Sequence, residues 1–156
     1  MKARSLKLLV AMFGFAFTLA ACSSDETAGE GHGTPATVKL FNTTTNEELT
    51  QPYALPSGTT TRVTVHFYDD EGDDISQELI DSGHFTSLTF ASAAFATTAG
   101  VTGQVFQRDV TVFADPGVTS TVTIGYGHDA AADESTWGPY TAVAEEGAPA
   151  IRTSGR

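Results

Sequence analysis

The stretch Arg62-Val63-Thr64-Val65-His66-Phe67-Tyr68 alternates apolar and polar side chains, and no other feature constrains the fold of this chain as strongly. A strand sends successive side chains to opposite faces, so Val63, Val65 and Phe67 share one face and Thr64, His66 and Tyr68 the other. That period of two marks a strand with one face in a core and one in water. Residues 121–126 repeat it, with Val122, Ile124 and Tyr126 opposed to Thr121, Thr123 and Gly125. Further strands are predicted at Thr37–Asn42, 49–55, His84–Phe90, 105–113 and 140–144. Turn residues separate them at Pro56-Ser57-Gly58, Glu71-Gly72-Asp73, Asp115-Pro116-Gly117 and Trp137-Gly138-Pro139. Helix is expected only over 75–82, where Ile75, Leu79 and Ile80 fall near one face and Asp74 or Ser76 can cap the start. The alanine-rich run 91–99 is broken by Ser92, Thr97 and Thr98 and is expected as a loop or irregular strand.

About seven short strands with turns between them predict an all-β fold, an antiparallel β-sandwich, with a small closed barrel as the alternative. The chain has a single cysteine, so no intrachain disulfide can hold such a domain and burial must do so. Residues 62–74 (RVTVHFYDDEGDD), 84–92 (HFTSLTFAS) and 109–126 (DVTVFADPGVTSTVTIGY) resemble the bacterial immunoglobulin-like modules of envelope proteins. The resemblance covers most of residues 37–145 and implies an immunoglobulin-like sandwich. The paired core cysteines of antibody domains are missing, and Trp137 stands late in the chain.

The N-terminal segment says where such a domain would reside. Lys2, Arg4 and Lys7 precede an apolar stretch over 8–21, a charged start and greasy middle that read as an export signal. The stretch is short for a transmembrane anchor, which needs about 20 apolar residues. Its end, Leu19-Ala20-Ala21-Cys22, resembles the lipobox of bacterial lipoproteins. The resemblance implies that residues 1–21 are removed and that Cys22 is lipidated, placing the chain on a membrane of the bacterial cell envelope. Ser23 after the cysteine favours the outer membrane in a diderm host. A plain secretory signal cut after Ala21 is the competing reading, and it would expose a lone thiol in an oxidising compartment.

Residues 22–36 contain no large apolar side chain and read as a flexible tether, and 146–156 read as a frayed tail. Of the 8 basic residues three belong to the signal, so five face 19 acids from residue 22 onward, a formal net charge of −14. That charge disfavours nucleic acid and points to a soluble, monomeric domain. A binding or display module is expected, with an envelope protein or glycan as partner, no catalytic residues and no cofactor.

Two features nevertheless carry possible chemistry. The run Asp69-Asp70-Glu71-Gly72-Asp73-Asp74 offers hard oxygen ligands for calcium, with Asp69, Asp70, Asp73 and Asp74 as candidates. It departs from the EF-hand pattern, since position six is Asp74 and position twelve is Ile80, so a solvated hairpin tip is the simpler expectation. Among the histidines, His66 belongs to an outer face, while His84 and His128 stand at strand ends. Strand ends converge in a sandwich, so a zinc or copper site from these two with Asp129 or Asp81 is conceivable. His32, flanked by glycines, reads as part of the tether. The run Asp81-Ser82-Gly83-His84 holds triad residue types, but neighbours in an extended segment are expected to point apart. A glycosidase would need two carboxylates opposed across a cleft, which spacing cannot identify. Most aromatics are expected inside, with Tyr68, Phe106 and Phe113 in phase to face outward as an interaction patch.

Overall fold

The computed structural model describes residues 33–128 and 134–147. The signal expected at 1–21 with Cys22, most of the expected tether with His32, Asp129, and the expected tail beyond residue 147 lie outside the described residues. The described chain forms β1 (Thr37–Asn42), β2 (Glu47–Leu49), β3 (Tyr53–Pro56), β4 (Thr60–Tyr68), α1 (Ser76–Asp81), β5 (His84–Phe90), β6 (Ala96–Val101), β7 (Gln104–Val112), β8 (Thr119–His128) and β9 (Ser135–Glu145). A five-stranded sheet in the order β2-β1-β4-β7-β6 packs on a four-stranded sheet in the order β3-β9-β8-β5. The runs β1-β4-β7-β6 and β9-β8-β5 have the A-B-E-D and G-F-C order of immunoglobulin domains.

The described residues form nine strands where about seven are expected, for two physical reasons. The strand predicted over 49–55 is interrupted at Pro52, which has no N–H to give to a ladder. The chain there leaves β1 and joins the other sheet as β3, pairing with β9 in parallel, so the sandwich is not wholly antiparallel. The run expected as a loop or irregular strand supplies β6, an edge strand whose register shifts between Gly100 and Val101. Edge positions tolerate such small and polar residues.

Alternation decides which side chains are inside. Val63, Val65 and Phe67 of β4 and Val122, Ile124 and Tyr126 of β8 are all buried, as their period requires. Phe67 lies at the centre, its ring 5.1 Å from Phe106, 5.2 Å from Tyr126 and 5.3 Å from Trp137. Phe106 is thus inside rather than outside, because it shares the phase of Val110 and Val112, which are buried on the same strand. Tyr68 is half-buried under the Lys39 ammonium, 5.3 Å from its ring centroid, while Phe113 is exposed as expected.

Trp137-Gly138-Pro139 is not a turn between strands. It is a bulge within β9: Trp137 opposes Ile124 and Tyr140 opposes Val122, so the bulged strand spends one extra residue there. The extra residue shifts the alternation and lets Trp137, Tyr140, Ala142 and Ala144 all pack on the core.

The α1 helix closes the open side of the sandwich between β4 and β5. Its Leu79 and the preceding Ile75 are buried, and the Ser76 hydroxyl accepts the Phe67 N–H at 2.8 Å. Gly33 to Ala36, assigned by composition to the tether, already lie against the domain: Ala36 N–H reaches the Tyr68 carbonyl, and Gly33 faces Ile75. Among the described residues no helix is long and apolar enough to cross a membrane.

Candidate functional site

The strand directions gather the chemistry-bearing residues at one end of the sandwich. β1 enters there beside the end of β4, the acidic turn and α1 follow, β5 begins there and β8 finishes there. At this end Asp69 organises the turn, its Oδ1 accepting the backbone N–H groups of Glu71 at 3.0 Å and Asp73 at 2.8 Å. An aspartate that hydrogen-bonds its own following backbone in this way builds a turn. Asp69, Glu71 and Asp73 are the acids whose oxygens converge, within 4.8 Å of one another, so Glu71 stands where Asp70 and Asp74 were expected.

Asp74 instead turns back onto the sheet. Its Oδ2 lies 2.7 Å from His66 Nδ1, and its Oδ1 accepts hydrogen bonds from the Ser76 N–H and hydroxyl. Partial burial pushes its carboxyl pKa up, but the hydrogen bonds from Ser76 and His66 outweigh this and hold it below the ordinary carboxylate value. A pKa lowered by folding contributes stability that is complete above the unfolded value of about 4 and is lost as pH falls through the folded value. Asp74→Asn should therefore lower the urea midpoint at pH 7. The deficit should shrink as both proteins are taken below about pH 3, and a deficit independent of pH would show that charge on Asp74 is not what matters.

Ser82 and His84 do meet, contrary to the expectation for chain neighbours, because Ser82 closes α1 instead of extending β5. The hydroxyl of Ser82 lies 2.8 Å from the Glu78 carbonyl, 3.1 Å from the Leu79 carbonyl and 3.1 Å from His84 Nδ1. His84 Nδ1 also lies 3.2 Å from the Leu79 carbonyl. The serine proton is held by helix carbonyls, so Nδ1 carries the proton that Ser82 and Leu79 accept. That is the reverse of a base drawing a proton from a nucleophile.

The strand-end histidines converge. His84 and His128 are register partners across β5 and β8, with ring centroids 3.6 Å apart. His84 is not a surface residue: it is 1% exposed, its ring stacked on Tyr126 at 4.5 Å with an interplanar angle of 7°. Inward alternation places it there with Thr86 and Leu88. The third member is Glu134, whose backbone N–H donates to the Tyr126 carbonyl. One Glu134 oxygen pairs with His128 Nδ1 and the other lies 3.5 Å from His84 Nε2. Ligand atoms of all three residues lie within 4.8 Å of one another.

The two histidines are recognisable in the sequence as strand ends, and this carboxylate is not. Asp81, one expected partner, accepts a hydrogen bond from Gln77 instead. Glu134 carries no local signal, since its position depends on how β9 pairs with β8. Beside the cluster opens a cleft of about 310 Å³ lined by His84, Ile80, Val105 and Phe106. No family model, curated protein or solved structure matches the chain.

Proposed function

We propose that this chain is a lipid-anchored module of the bacterial cell envelope that works by binding or display and catalyses nothing itself. The lipobox-like Leu19-Ala20-Ala21-Cys22 supports the anchor, with the lipid carried on Cys22. Residues 23–32 would then form a tether of about 10 residues that lets the domain reach about 17 Å from the membrane. The observation that carries the binding role is at the far end of the sandwich. Phe113 and Val118 are 58% and 46% exposed, the most open of the large apolar side chains among the described residues. They flank the β7–β8 turn, while the chain from Cys22 enters at Thr37, beside Tyr68 at the other end of β4. A nine-residue strand such as β4 separates these ends by about 27 Å. An apolar pair held away from the anchor is suited to meeting an envelope protein or glycan.

A photo-crosslinking residue at position 113, in cells making the full chain, tests both halves of the reading. The anchored protein should fractionate with membranes and give a discrete covalent adduct. Cys22→Ser should release it to the soluble fraction and reduce that adduct. A Cys22→Ser protein still on the membrane would remove the lipid anchor from the reading. Equal adducts from positions 113 and 98 would remove the binding face.

A further inference from the structure

We propose that His84 Nε2, His128 Nδ1 and the Glu134 carboxylate form a binding site for one divalent transition-metal ion, with zinc as the natural occupant. The site stands on geometry that the lipoprotein reading does not use. Two ligands come from directly opposed residues of one ladder, and the third from a residue whose backbone is hydrogen-bonded to the same strand. The backbone of each ligand is held before any ion arrives, which lowers the ordering cost of binding. His128 Nδ1 gives up the proton it shares with Glu134 as the ion enters between them, so binding releases a proton.

The surroundings of His84 set the chemistry. Its Nδ1–H is committed to the Leu79 carbonyl and Ser82, so in the neutral ring the lone pair is on Nε2. Metal-ligating histidines characteristically give their other nitrogen to such a backbone carbonyl, which fixes the tautomer and the ring orientation. The lone pair of Nε2 faces a carboxylate oxygen of Glu134 at 3.5 Å. A proton on the ring makes that contact an ion pair, and a metal ion in the proton's place would coordinate both atoms. Two ligands about 2.0–2.1 Å from a tetrahedral zinc ion stand about 3.4 Å apart, which matches that separation.

Imidazole nitrogens select zinc, copper or nickel over calcium and magnesium, which prefer oxygen ligands throughout. His128 and Glu134 are about two-fifths exposed, so an ion can enter from solvent. Three protein ligands leave a fourth tetrahedral position for water or for a group on a partner. The acids of the Asp69 turn lie at the same end of the sandwich and raise the local concentration of cations there.

The test uses the mature chain carrying Cys22→Ser and His32→Ala, so that neither the thiol nor the remaining histidine outside the sandwich competes. Stripped of metal and titrated with zinc against a chromophoric chelator, it should bind one ion per chain with micromolar or tighter affinity. At zinc a hundredfold above Kd its Tm should rise by roughly 10 °C, and calcium should leave it unchanged. His128→Ala and Glu134→Gln, both at solvent-exposed positions, should each weaken binding by roughly 100-fold or more. Imidazole nitrogen resonances provide a measurement on the unaltered site: zinc should shift those of His84 and His128 and leave His66 in place. Absence of binding, undiminished affinity in either variant, or shifts confined to His66 would each overturn the site.

Discussion

Phe67→Ala is expected to remove a large share of the stability of the domain, lowering the thermal midpoint by roughly 12–20 °C. Phe67 is 0% exposed, and its ring touches both sheets: Phe106 of β7 in its own, and Tyr126 of β8 and Trp137 of β9 in the other. Truncating such a phenylalanine loses the transfer free energy of the ring and leaves a cavity that two strand-locked sheets cannot close. Together these cost about 3–5 kcal/mol. Single domains hold only about 5–15 kcal/mol in total, and here no disulfide limits the unfolded chain. The same backbone position also receives α1, through the Ser76 hydroxyl and the Ile75 N–H. A loosened Phe67 therefore frees the cover of the core as well as its centre. Trp137, the only tryptophan, reports the loss directly by fluorescence during a urea or thermal melt. Phe113→Ala is the control, an exposed ring whose removal should stay within about 0.5 kcal/mol. Equal midpoints for the two variants would mean that the centre of the sandwich is not where the tertiary contacts place it.

How much of this was legible beforehand depended on the range of the interaction concerned. β1 and β5 have the predicted limits, and β4 and β8 bury the predicted faces, because alternation is local and one strand is enough to reveal it. Turns built by Gly58, Gly72 and Gly117 were readable for the same reason, each glycine having a positive φ. What escaped was set by pairing between distant segments. The move from β2 to β3 follows from Pro52 only once two sheets exist for the chain to pass between. Phe106 is different, a local signal: it alternates in phase with Val110 and Val112, which puts it inward against Phe67 of β4. The candidate site divides in the same way. His84 and His128 were nameable as strand ends, but their meeting is a property of the β5–β8 register, and Glu134 joins them only through β9. Ser82 was misjudged because a hydroxyl at the end of a helix turns back to the carbonyls of that helix, a choice extended-strand reasoning does not anticipate.

The second large effect should come from Gly138→Ala, a change of one methyl group at a residue that sequence alone presents as an ordinary turn glycine. Gly138 has a φ of +108, where a side chain is strained, and a Cβ there would lie 2.9 Å from both the Val122 carbonyl oxygen and the Tyr140 nitrogen. Both obstacles are backbone in the β8–β9 ladder, so neither can swing aside as a side-chain tip would. Backbone strain of this kind costs about 1–3 kcal/mol, and overpacking against a fixed ladder adds a comparable amount. Gly72→Ala is the comparison: its φ is also positive, at +91, but nothing lies within 4 Å of the added carbon, so only the conformational cost of about 1 kcal/mol should appear. Urea midpoints should therefore fall at least twice as far for Gly138→Ala as for Gly72→Ala. The strained chain relaxes by losing the bulge, and the geometry says what that does. Without the extra residue, Trp137 and Tyr140 can no longer both face inward, and the start of β9 slips relative to β8. Glu134 lies immediately before that start, so a slip withdraws its carboxylate from His84 and His128. Gly138→Ala should for this reason weaken zinc binding along with stability, while Gly72→Ala weakens neither by much. A variant that kept full zinc affinity at a lowered midpoint would show that the ladder near Glu134 holds its register without the bulge.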